Sequence, residues 1–297
     1  MTVASSAPGA VPVTPLTERT SQQKRRQHLV FTSAGDHSNI TAWLDDSRNF
    51  DLCIAYYGNK PGRYADLAEY YFTRKDSKFG NLKFAWQQWP EMLAPYQSIL
   101  VQDDDVLISS QKINRLFRIQ RELDLWLLQA AFSPLGKISW PITRVQWASR
   151  LRYTNFVEIT APLFRKDKLE KFLAEFDPIL TGTGTDWWYM HSLGDDCRGN
   201  VAIIDEVTCI NPHDRSKGGQ RECDRLQAET ARTAAWEWAS SHYDIPRRAN
   251  IEFERQLKPI PARWISPIVC WPLDGCAFLR KQAVAARNAL RDFFRAS

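Results

Sequence analysis

The sequence predicts an α/β fold: a mostly parallel sheet flanked by helices, followed by a mainly helical C-terminal extension. Three observations carry that expectation. Apolar runs rich in β-branched residues alternate with segments of helical apolar spacing, the pattern of a sheet with helices on both faces. One run ends directly in Asp103-Asp104-Asp105, at the strand terminus where open α/β sheets place ligands. The 297 residues, 44% hydrophobic and 25% charged, suffice to bury a large core and exclude a wholly disordered, collagen-like or coiled-coil chain.

Residues 1–27 are rich in Ala, Ser, Pro and Thr and end in Lys24-Arg25-Arg26, so they read as a flexible leader. His28 to Ser33 has the content of a first strand. Gly35 to Asn39 then offers a turn and a helix cap, with Ile40, Trp43 and Leu44 at helical spacing. Phe50 to Tyr57 reads as a buried strand closed by Gly58, and Leu82 to Trp89 as a helix ending near Pro90. Tyr96 to Gln102 is a strand that runs into the three aspartates, and Ile113 to Phe132 reads as one long helix. Phe156 to Ala161 is strand-like, Lys168 to Phe176 helical, and Gly182-Thr-Gly184 precedes a helix start at Asp186. Val201 to Ile204 is a strand that Val207 to Ile210 continues toward His213. The expected division is a leader at 1–27, a main domain at 28–227 and the extension at 228–297.

The formal charge of +5 sits at the ends. Residues 1–27 carry +3 and 277–297 carry +4, which leaves 28–276 at −2. A slightly acidic body argues against a nucleic-acid partner. No apolar stretch is long enough to span a bilayer, and no charged and apolar leader marks a secretory signal. The six cysteines form no C-x-x-C pair and no zinc spacing, so reduced thiols in a cytoplasmic protein are expected. A disulfide among Cys197, Cys209 and Cys223 is the minority alternative. The absence of G-x-S-x-G, P-loop and G-x-G-x-x-G motifs removes the serine hydrolase, kinase and dinucleotide readings.

Three adjacent carboxylates at the end of a buried strand repel one another unless a cation neutralises them. Alternate residues of an extended chain share a side, so Asp103 and Asp105 can face one ion while Asp104 turns away. Hard oxygen ligands suit Mg²⁺ or Mn²⁺, which in turn bind phosphate. The alternative is an exposed acidic turn. Asp186 is either a helix cap or a base beside two glycines, and Trp187 and Trp188 are either core residues or platforms for sugar rings. His213, just past a strand, is either a structural or exposed histidine or a third metal ligand.

Taken in order, these segments resemble GT-A glycosyltransferases, and within them the family labelled domain of unknown function seven-zero-seven. The resemblance rests on Asp51 to Gly58, Tyr96 to Val106, Ile138 to Pro141, Asn155 to Phe164, Gly184 to Trp187, and Val201 through His213. Phe156-Val-Glu-Ile-Thr-Ala-Pro162 is its most family-specific stretch. It implies a nucleotide-sugar-binding catalytic domain at 28–227 that uses Mn²⁺ or Mg²⁺ and a UDP- or GDP-linked donor. By that resemblance Asp103, Asp105 and His213 hold the metal, and Asp186 is the base that activates an acceptor hydroxyl. Thr32, Ser33, Asp36, Tyr57, Lys83 and Asp104 fall where nucleotide contacts are expected, and Trp140, Glu158, Trp187 and Trp188 near the sugar or acceptor. Inverting transfer is expected. Retention stays open, because Thr185-Asp186 stands where the family usually has two acidic residues.

Two other classes compete: a metal-dependent phosphoesterase or nuclease using the same acidic cluster, and a non-catalytic carbohydrate- or nucleotide-binding protein. The stripe of Leu279, Ala283, Ala286, Leu290 and Phe293 within 278–297 is expected to dock on the domain or a second subunit. Its alternative is a peripheral contact with anionic lipid at the inner face of the membrane, suited to a glycolipid or surface-glycan acceptor.

Overall fold

The computed structural model describes residues 13–18, 25–213 and 222–258. The described residues up to Leu257 form one compact unit, and the stripe at 278–297 lies outside the described residues. The first half comprises β1 (Thr17–Glu18), β2 (His28–Ala34), β3 (Asp51–Tyr56), β4 (Tyr70–Thr73), α1 (Lys78–Gln88), α2 (Pro90–Leu93) and β5 (Ser98–Val101). Then come α3 (Ser110–Glu122), β6 (Leu127–Phe132), β7 (Ser149–Thr154), β8 (Leu163–Arg165), α4 (Lys166–Glu175) and α5 (Thr185–Leu193). The last elements are β9 (Val201–Cys209), α6 (Glu222–Leu226), α7 (Glu229–His242) and β10 (Glu252–Leu257).

All the described strands join one ten-stranded sheet in the order β1-β4-β3-β2-β5-β8-β6-β9-β7-β10. The sheet is mixed, which corrects the mostly parallel expectation. β4, β3, β2 and β5 run parallel, and β6 runs parallel to β9. The short β8 lies antiparallel between β5 and β6, and β7 lies antiparallel between β9 and β10. Neither insertion is legible in sequence: β8 has three residues, and β7 interrupts its apolar pattern with Arg150 and Arg152.

Four further expectations change. The run from Ile113 to Phe132 is not one helix: α3 ends at Glu122, Asp124 takes a positive φ of 48°, and Leu127–Phe132 becomes β6. Phe156 to Ala161 is not a strand, because side chains and neighbouring loops take its backbone groups. The Glu158 amide donates to Gln129 Oε1 (2.5 Å), and the Thr160 carbonyl accepts from the Asp103 amide (2.9 Å). Part of the leader is ordered, since β1 pairs with β4 and Thr14 bonds to Thr73. Edge pairing satisfies backbone groups without apolar burial. Residues 228–257 belong to the same compact unit as the sheet, with β10 completing its edge, rather than to a separate helical extension. Cys53, Cys197 and Cys209 carry free thiols, and among the described residues no helix is long and apolar enough to cross a membrane.

The core lies on both faces of the sheet. On one face, α1, α4 and α5 pack through Phe79, Phe164, Phe172 and Tyr189, with ring centroids 5.3 to 6.3 Å apart. Each such side chain stabilises by roughly 1.5–3 kcal/mol on burial, so α5 rests on a firm base. Tyr189 also donates a hydrogen bond to the Val157 carbonyl, tying α5 to the segment that carries Glu158.

Candidate active site

A cleft of about 1200 Å³ opens off the carboxyl ends of the parallel strands, the position that open α/β sheets offer to ligands. Its floor is the turn after β5. There the Asp103 amide holds Thr160, the Asp104 carboxylate accepts from the Gly35 amide (3.1 Å), and the Asp105 carbonyl accepts from Asn39 Nδ2 (2.5 Å). Lys78, in the first turn of α1, donates from Nζ to Asp103 Oδ1 (2.7 Å) and to the carbonyls of Ile159 (2.7 Å) and Thr160 (3.1 Å). Arg63, Lys75, Lys137 and Arg225 add positive charge to the lining.

On the opposite wall, α5 begins at Gly184, which takes a φ of 89°. A Cβ there would fall 1.9 Å from the Trp236 ring, so glycine alone meets both demands. Asp186 sits in the first turn of α5 with its carboxyl buried, accepting from the Trp187 amide (3.0 Å). Burial, and then the charge of Glu158, push the Asp186 carboxyl up to about 7. Glu158 is likewise pushed up to about 7 by burial, and the Asp103 charge adds to the rise. The hydroxyls of Thr160 and Ser139 oppose that shift. Two carboxyls that titrate near neutrality and face one polar cleft match the tuning of acid–base catalysis.

Beside them stands an aromatic wall. Trp140 meets Trp187 edge-on (5.3 Å), Trp187 stacks on Trp236 (5.5 Å), and the Arg247 guanidinium lies 5.4 Å from the Trp187 ring. Across the cleft the Tyr57 ring lies close to Gly35, 2.8 Å from where a Cβ would stand.

Ser33, Asp36, Tyr57, Asp103, Asp104, Asp105, Trp140, Glu158, Asp186 and Trp187 are thus brought to one cleft. The other expected site residues lie elsewhere. Trp188 is 2% exposed and packs on Phe176 and Tyr243, because it points to the face of α5 that meets the core. Thr32 is fully buried on β2, and Lys83 Nζ donates to the Phe176 carbonyl (2.5 Å). His213 is exposed and does not line the cleft. Asp36 lines it, but its carboxylate is engaged by Tyr56 and by the amides of Asn59 and Lys60, which hold its pKa below the usual carboxylate value. Lys78, Lys137 and Ser139 also line the cleft, and sequence reasoning does not find them because their partners are distant in the chain.

Among the described residues, no three His, Cys, Asp or Glu side chains gather as a ready-made metal cage. Mg²⁺ and similar ions commonly take one or two carboxylates and complete their shell with water and substrate phosphates. Asp103, with its side chain 43% exposed, and Asp105 line the floor of a cleft with basic walls and are the hard-oxygen donors available there.

No family model matches the chain, that of the domain of unknown function seven-zero-seven included, and no curated protein matches it. Among solved structures, the chain is similar to TarS of S. aureus, residues 1–349, in complex with UDP-GlcNAc. That match is 10% identical and covers 73% of each chain, with a TM-score of 0.47. A longer S. aureus TarS chain is 11% identical with a TM-score of 0.47, over 74% of this chain and 44% of that one. The mannosyltransferase PcManGT from Pyrobaculum calidifontis, in complex with GDP-Man and Mn²⁺, is 13% identical with a TM-score of 0.42, over 67% of this chain and 60% of that one.

Proposed function

We propose that the chain is a metal-dependent glycosyltransferase of the GT-A type that moves a sugar from a nucleotide-sugar donor to a hydroxyl of a glycan or glycolipid. The observation that carries this reading is the shared cleft: the Asp103–Asp105 turn and the buried Asp186–Glu158 pair face the same space. Asp103 and Asp105 would hold the divalent cation, Mn²⁺ or Mg²⁺, which neutralises charge on a departing nucleoside diphosphate. Lys75 and Lys137 lend positive charge to the same phosphates, and Tyr57 offers a ring face to the nucleobase. Asp186, buried and titrating near neutrality, accepts the proton of the acceptor hydroxyl as that oxygen attacks the sugar carbon. Glu158 keeps the Asp186 carboxyl basic through its charge. The aromatic wall of Trp140 and Trp187 presents apolar ring faces that suit a sugar. With Asp186 as base on the face opposite the departing diphosphate, the transfer would invert the anomeric centre. A phosphoesterase would instead be expected to gather several further carboxylate or histidine ligands around two metals, and the described residues hold no such cluster.

A thermal-shift screen of nucleoside diphosphates tests this reading. UDP or GDP with Mn²⁺ is expected to raise Tm by several degrees, as any ligand that binds only the folded state does. The nucleotide or the metal alone should do much less. No shift with any nucleoside diphosphate would count against the proposal.

A further inference from the structure

Lys78 stands against Asp103 at the floor of the cleft. Its side chain is only 9% exposed, and its ammonium reaches three oxygens: Asp103 Oδ1, the Ile159 carbonyl and the Thr160 carbonyl. An ammonium has three donors, so all of them are engaged. The lysine thereby joins the start of α1, the acidic end of β5 and the segment that carries Glu158. Thr160 extends this link, since its hydroxyl donates to Glu158 Oε1 (2.8 Å) and its carbonyl also takes the Asp103 amide (2.9 Å).

We infer that Lys78 is an internal counter-cation that competes with the divalent metal for Asp103, so that the site captures metal well only together with a diphosphate. This inference rests on the proposed metal-dependent nucleotide binding and specifies how that binding is gated. The physical reason is charge balance. With Lys78 in place, one Asp103 oxygen is neutralised and an incoming cation meets a fixed positive charge a few ångströms away. A nucleoside diphosphate brings its own negative charge, offsets the lysine and supplies the remaining hard oxygens. Metal and nucleotide therefore bind with positive coupling, each raising the affinity for the other. Lys78 acts through Asp103 and is a positioning residue.

Direct Mn²⁺ binding, followed by electron paramagnetic resonance of the free ion, tests this on wild type, Lys78→Met and Lys78→Arg, each with and without UDP or GDP. The expected result is that Lys78→Met binds Mn²⁺ alone about tenfold tighter and loses most of the nucleotide dependence, a change within the usual range of coupling. Lys78→Arg keeps the charge and should retain the wild-type dependence. Lys78→Gln removes the charge but keeps donors for the Ile159 and Thr160 carbonyls, so it carries the test if the Met variant does not fold. Wild-type Mn²⁺ affinity and coupling in the charge-free variants overturn the inference. Failure of wild type to bind Mn²⁺ with any nucleoside diphosphate would instead overturn the functional reading beneath it.

Discussion

Asp186→Asn lowers turnover by about 100- to 10,000-fold, the contribution of a positioned general base, while nucleotide binding stays at the wild-type level. The asparagine preserves the shape of the first turn of α5 and still accepts from the Trp187 amide. What it cannot do is take a proton. The wild-type rate should rise with pH through about 7, where burial and Glu158 place the Asp186 carboxyl, and level off above it. The variant's residual rate should lack that rise. Stability moves the other way. The folded-state value lies above the unfolded value of about 3.9, so the native state binds more protons between the two. Stability is therefore lost as pH increases over that window. Asn carries no such cost, and the variant should unfold at a higher temperature than wild type at pH 8. Paired rate–pH profiles and melting curves check both halves. Wild-type turnover in Asp186→Asn, or loss of nucleotide binding together with turnover, would remove Asp186 from the role of base.

The second large effect is on folding. Arg152 and Asp205 form a buried pair with side chains 2% and 0% exposed, joined through Nε (2.8 Å) and a second guanidinium nitrogen (3.0 Å). The same guanidinium donates to the carbonyls of Ile142 (2.7 Å) and Arg144 (2.9 Å), and Asp205 accepts from the Gln146 amide (2.8 Å). The pair thus pins the loop after β6, which brings Trp140 to the cleft, onto β7 and β9. Arg152→Ala leaves an uncompensated buried carboxylate and two carbonyls without their donor, and it should destabilise by about 3–5 kcal/mol. Replacing both members with apolar residues of similar volume, as in Arg152→Met with Asp205→Leu, should recover the part of that loss due to the unpaired charge, but not the part due to the orphaned carbonyls. Urea titration checks it. A midpoint within error of wild type for Arg152→Ala would show that the pair contributes nothing to the fold.

The parts of the site that were legible in sequence are those whose signal is local. Ile99 to Val101 is a continuous apolar run, and charge appears abruptly at Asp103, so strand and acidic turn could be placed together. Gly184 and Asp186 lie two residues apart, and the structure shows why the glycine is there: the helix start needs a positive φ under a tryptophan ring. What escaped is non-local. Lys78 finds partners 25, 81 and 82 residues away, and nothing around it in sequence marks it as more than a helix-surface lysine. Trp188 was misplaced because α5 is apolar on more than one side, so sequence cannot say which tryptophan meets the cleft and which the core. Ile113 to Phe132 does not run as one helix because Asp124, a left-handed residue, lies between the amphipathic helix α3 and the buried strand β6. The mixed sheet stayed hidden because β8 follows directly on Pro162 and is too short to show any period.

Calorimetric titration of UDP and GDP in the presence of Mn²⁺, into wild type and into Asp103→Ala with Asp105→Ala, tests the central claim most directly. The account predicts saturable binding of at least one nucleoside diphosphate to wild type that depends on the metal. It predicts loss of that binding in the double variant, with an unchanged melting profile. Equal nucleotide affinity in the two proteins would contradict it.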